Sequence, residues 1–210
     1  MPVDLTALVE PAHTALVTQE CQNGVIGADA VLRELADEAQ RVAVPNIVQL
    51  VDAAHRAGVN VVHCLAVRRA DDKGSNRNAR LFAGTRKLGI SIEPGSRAAE
   101  LLPQLAPAPN DLVLSRYHGL GPMGGTDLDA VLRNLGVTTI VGVGVSVNVA
   151  ITNFAMDAVN AGYQFVLPRD AVAGVPPDYA DAVIDNTLAW LATITTTAEL
   201  AAAWGASDRP

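Results

Sequence analysis

The sequence predicts an α/β fold of three layers, α-β-α and Rossmann-like, around a mainly parallel sheet of about six strands. Two observations carry that prediction. Short aliphatic runs ending at polar or Gly-rich turns alternate with longer stretches of helical period, and an alternating order of this kind calls for right-handed crossovers onto a parallel sheet. The composition agrees, because half of the 210 residues are hydrophobic and only 4% are aromatic, the aliphatic mix of strands buried on both faces.

The strands are read at "TALVTQE" (14–20), "VNVVHCLAV" (59–67), "DLVLSR" (111–116), "TTIVGVGV" (138–145), "YQFVLPRD" (163–170) and "ATITTT" (192–197). Helical periods fill 28–58, 96–105, 126–136, 148–162 and 177–192, with Pro45 forcing a break or a new start inside the first. Thr126 and Asp178 suit N-caps, and Gly58, Gly136 and Gly162 stand where left-handed C-terminal residues belong. The length suits one domain over residues 1–210, with no internal repeat or linker.

A net charge of −7 argues against nucleic acid as a partner, since neutralising phosphates needs surplus Lys and Arg. The N-terminus lacks a basic and apolar leader, and no apolar stretch reaches membrane-spanning length, so the expectation is a cytoplasmic protein with no membrane partner. Two cysteines, Cys21 and Cys64, make neither a disulfide ladder nor a metal-ligand spacing. His63 beside Cys64 has no DxH or HxH partner, so no metal and no cofactor is expected, and a satisfied core histidine is the simpler reading.

In a parallel sheet ligands bind beyond the carboxyl ends of the strands. That rule selects Glu20, the segment from Arg68 onward, Arg116 and the turn at 144–150. Residues 68–87 hold seven of the fifteen Lys and Arg, and Arg68, Arg77 and Arg80 are the candidates there for holding a small carboxylate or phosphate. Their alternative is a solvated loop. Asn148 near a helix start places the backbone N–H groups of Val149 and Ala150 where an anion or a developing oxyanion is stabilised. Glu20 ends an apolar strand and is a candidate proton donor or acceptor, or else a structural partner of Arg116. Cys21, next in sequence, is expected to face away and pack in the core.

With these residues laid out, the chain resembles the isochorismatase-like superfamily, also called the cysteine hydrolase family, over roughly residues 12–197. The likeness rests on "ALVTQECQN" against an aliphatic run and Asp-x-Gln-Asn, on "LVLSRYHGLGPMGGTDLDAVLR" against a strand ending in Lys before a Gly-Thr-Asp-Leu helix start, and on "GVSVNVA" through "AGYQFVLPRDAVAG" against Gly-Val-x-x-Asn-x-Cys and its following helix. It implies the isochorismatase-like hydrolase fold and a habit of homodimers or homotetramers.

Amide-cleaving members use an Asp base, a Lys and a Cys nucleophile. Carried over, those positions are Glu20, Arg116 and Ala150, with Tyr117 and His118 as alternatives for the lysine because the segment to Thr126 is slightly longer than the family's spacing. Gln22, His118, Ser146, Asn148 and Val149 fall at substrate-binding positions, and the family's cis peptide maps to Val145–Ser146. Alanine has no lone pair, so no covalent intermediate forms at residue 150.

The implied function is hydrolysis of a small, anionic molecule without a cysteine nucleophile. Glu20 would be general acid or base and Arg116 an anion clamp, and cleavage of a vinyl ether of isochorismate type is one route. The alternatives are a catalytically inactive member that binds a small ligand, and an amidase using Cys64 or Cys21.

Overall fold

The computed structural model describes residues 3–207. In chain order its helices are α1 (Leu5–Leu8), α2 (Asn23–Ile26), α3 (Arg33–Glu38), α4 (Val44–Ala57), α5 (Arg80–Lys87), α6 (Leu128–Asn134), α7 (Thr152–Asn160), α8 (Pro177–Asn186) and α9 (Thr197–Ser207). The strands are β1 (Thr14–Gln19), β2 (Asn60–Ala66), β3 (Leu112–Arg116), β4 (Thr139–Val145), β5 (Gln164–Pro168), β6 (Val172–Ala173) and β7 (Thr193–Thr195). They form one parallel sheet in the order β3-β2-β1-β4-β5-β7, with the two-residue β6 pairing to the end of β4.

All six strands read from the sequence are present. Along β1, Leu16 packs on one face with α4 and α9, where Ile47, Leu50 and Trp204 lie, while Ala15 and Val17 pack on the other with Leu128 and Phe154 of α6 and α7. Successive strand residues alternate faces, so a strand covered on both sides must be apolar throughout. β1 is accordingly buried along its whole length.

The chain runs β1-β2-β3 outward in one direction, then returns to place β4 on the other side of β1. A reversal of strand order leaves a crevice beyond the carboxyl ends of the two central strands. At that seam β1 and β4 approach so closely that a Cβ on Gly144, whose φ is +113°, would stand 2.2 Å from the carbonyl oxygen of Gln19.

Gly58, Gly136 and Gly162 adopt positive φ, as read from the sequence. Pro45 lies in the first turn of α4, which follows directly on a π-turn at Ala39–Ala43 that re-registers the hydrogen bonds around its missing N–H. Three readings need correction. Residues 96–105 form two single 3-10 turns, Arg97–Ala99 and Pro103–Leu105, because Pro103 removes a donor that a continuous helix needs. Asp178 lies inside the first turn of α8, whose N-cap is Pro176. The basic segment 68–87 ends in a helix, α5, where a loop was expected. Among the described residues no helix is long and apolar enough to cross a membrane.

Candidate active site

Beyond β1 the backbone leaves the strand at Glu20, whose φ is +55°. Its N–H still donates to the Cys64 carbonyl at 2.9 Å, so the turn is anchored to β2. Cys21 is then fully buried in the core beside Leu101 and Leu102, while Glu20 borders a cavity of about 240 Å³ over the sheet.

Arg116, the last residue of β3, has a side chain only 5% exposed against 18% for Glu20. Its Nη2 donates to Glu20 Oε1 and to the Leu120 carbonyl at 3.3 Å. Gln19 Nε2 supports the same two acceptors at 3.5 and 3.3 Å. Nε and Nη1 of Arg116 are buried and make no hydrogen bond among the described residues. Buried donors of this kind call for an oxygen partner, from water or a ligand. Tyr117 and His118 also line the cavity, but Arg116 is the residue that pairs with Glu20.

The turn after β4 completes the site. The Val145–Ser146 peptide is cis, where the resemblance places it, and Ser146, Val149 and Ala150 line the cavity. The Val149 N–H is not free for a ligand, since it donates to the Ser146 carbonyl at 3.3 Å, an acceptor shared with the Ile151 N–H at 3.0 Å. The expected donor pair at Val149 and Ala150 is therefore already half spent.

Arg68 lines the cavity with its guanidinium bonded to Asp72 through Nε and through Nη2 at 2.7 Å, and that contact holds the Asp72 carboxyl below its ordinary pKa. Several candidates do not face this space. Arg77 and Arg80 are exposed and lie outside the lining. Gln22 is buried with its amide used on backbone: Nε2 donates to Ala66 at 3.0 Å and Ala99 at 3.1 Å, and Oε1 accepts from the Ala66 N–H at 2.9 Å. It fastens the turn after β1 to the end of β2 and has no donor left for substrate. Asn148 reaches the Val175 carbonyl at 3.4 Å and is likewise absent from the lining.

The sequence reading missed Asn76, Arg86, Leu81 and Phe82. Asn76 Oδ1 accepts from the Gly119 N–H at 2.7 Å and its carbonyl accepts from Arg86 Nη1 at 3.1 Å, so it ties the segment before α5 to the loop after β3. Leu81 and Phe82 line the cavity from α5. Arg86 was visible as a charge, but nothing local distinguished it from its neighbours.

Burial pushes the Cys21 and Cys64 thiols each up to about 12, with Glu20 adding to the effect at Cys21. Near neutral pH both are thiols, the unreactive form. His63 is a core group held on one side: Nδ1 meets Thr18 Oγ1 at 2.8 Å, while Nε2 stands 3.4 Å from Asp111 without a hydrogen bond among the described residues, and burial lowers its pKa.

An isochorismatase domain model matches residues 14–199. The chain belongs to the isochorismatase family. Members of this family are hydrolases, and the coarse activity follows from membership. Among curated relatives, the ureidoacrylate amidohydrolase RutB of Agrobacterium fabrum is 25% identical over 89% of each chain. The uncharacterized isochorismatase family protein YwoC of Bacillus subtilis is 27% identical over 80% of this chain and 82% of its own. Of solved structures, a cysteine hydrolase from Pseudomonas syringae pv. phaseolicola superposes with a TM-score of 0.82 at 24% identity, over 95% of this chain and 96% of that one, a likeness of fold.

Proposed function

We propose that this isochorismatase-family chain hydrolyses a small anionic molecule by acid–base catalysis at Glu20, with Arg116 holding the anionic group and no cysteine nucleophile. The observation that carries the reading is the Glu20–Arg116 pair at the border of one cavity with the Ala150 methyl. A methyl group cannot form an acyl intermediate, and neither thiol is ionised near neutral pH.

Glu20 Oε1, bonded to Arg116, is the oxygen that accepts the proton in this reading. It takes a proton from water as the water oxygen bonds to the substrate's carbonyl carbon. It then returns that proton to the leaving nitrogen or oxygen as the bond from carbon to that atom breaks. A vinyl-ether route runs the carboxyl in the opposite sense, as an acid toward the enol carbon with water capturing the resulting cation, and it requires Glu20 to be protonated first. The curated relative's name, ureidoacrylate amidohydrolase, makes amides of small acids the first class to assay.

The test is product labelling. A panel of amides of small acids, with isochorismate added, is screened in water enriched in heavy oxygen, and any hit is repeated with hydroxylamine present. Direct hydrolysis puts solvent oxygen into the acid product and yields no hydroxamate, whereas a hydroxamate would reveal an acyl-enzyme and contradict the reading.

A further inference from the structure

α5 has no residue in the protein core, although a helix of eight residues depends on tertiary packing for its stability. Its Leu81, Phe82 and Thr85 border the cavity together, placing one side of the helix over it. Ile90 and Ile92 continue that apolar lining, and Leu35 meets it from α3. Leu81 remains 45% exposed and Leu32, also at the cavity, 44%. Large apolar side chains bordering a concavity gain by covering apolar surface there.

Two arginines that line this space make hydrogen bonds within the protein. Arg68 is bonded to Asp72, and Arg86 gives Nη1 to the Asn76 carbonyl. Among the described residues that line the cavity, the buried donors without a hydrogen bond are Nε and Nη1 of Arg116 and the Ser75 hydroxyl.

We infer that the substrate is a monoanion with a hydrophobic body, aliphatic or aromatic, seated with its head on Arg116 and its body in the sleeve of Leu81, Phe82, Ile90 and Ile92. This rests on the reading that Arg116 holds the anionic group. Leu81 and Phe82 are then specificity-determining residues, and compact dianions or polyhydroxylated acids are poor ligands, because a second polar group lodged in the sleeve would be desolvated against Leu81, Phe82, Ile90 and Ile92.

Calorimetric titration with inert acids reads this directly: acetate, butyrate and hexanoate as one series, with succinate and glutarate as dianions. Affinity is expected to rise by about threefold to fourfold per methylene along the series, with the dianions no tighter than acetate. Phe82→Ser is expected to reduce the preference for hexanoate over acetate by about tenfold, and Leu81→Ser serves should that variant fail to fold. A flat series with acetate binding retained, or succinate matching hexanoate, overturns the hydrophobic sleeve and leaves the anion seat standing. Failure of every acid to bind removes the seat itself, and with it both readings. None of these acids is hydrolysed, so the titrations do not depend on Glu20 chemistry.

Discussion

Arg116 bonds to Glu20 through Nη2, and its buried Nε and Nη1 make no hydrogen bond among the described residues. One guanidinium thus holds the carboxylate that we propose as the acid–base group and has two further donors without a protein partner among the described residues. The arrangement depends on the turn at Glu20, which takes the carboxylate out of the strand's alternation and into the cavity.

Removing the cation should show in stability as well as function. Arg116→Met leaves the partly buried Glu20 carboxylate without its partner, a loss of roughly 3 kcal/mol for a buried pair broken on one side. Urea unfolding of the variant measures it, and an unchanged midpoint would show that the pair is not holding the turn.

The two native thiols should ignore iodoacetamide near neutral pH and react only on unfolding, because burial pushes both up to about 12. Ala150→Cys adds a thiol at the cavity border, and this variant should label with a stoichiometry of about one in the folded state. Labelling of the native protein at neutral pH would reinstate Cys64 or Cys21 as a nucleophile.

His63 predicts a pH dependence with a definite sign. Its folded pKa is lowered below the ordinary 6.5, chiefly by burial and against the pull of Asp111. Between the lowered value and 6.5 the unfolded chain binds a proton that the folded chain refuses. Folding stability is therefore full above that window and falls as the pH drops through it. Urea midpoints at about pH 7.5 and about pH 5 read the slope, which His63→Gln should flatten.

Gly144→Ala tests the seam between β1 and β4. The added methyl would stand 2.2 Å from the Gln19 carbonyl on a residue with φ of +113°, so strain and overlap combine. A loss of about 3 kcal/mol or more is expected by thermal unfolding, together with loss of activity, since Gln19 supports Glu20.

The inner strands were legible because burial on both faces forces an unbroken aliphatic run, as in "TALVTQ". The pairing of Glu20 with Arg116 was legible because β1 and β3 run parallel in one sheet, so that their carboxyl ends lie on the same edge. Helix α5 was not, since its only strong apolar signal is Leu81 and Phe82 amid seven basic residues, and its partner is a cavity wall assembled from distant segments. Gln22, placed at the site by the resemblance, is used up instead by the backbone groups of Ala66 and Ala99, far away in sequence, which no local signal reports. The 3-10 turns at 97–105 show an apolar period outweighed by a proline whose position in the turn the period does not report.

Turnover of the best substrate by Glu20→Gln, beside the wild type and with folding checked by circular dichroism, addresses acid–base hydrolysis most directly. A fall in kcat of about a hundredfold or more is expected, with inert acids still bound through Arg116. Equal turnover by the two proteins would contradict a catalytic role for the carboxyl at this position.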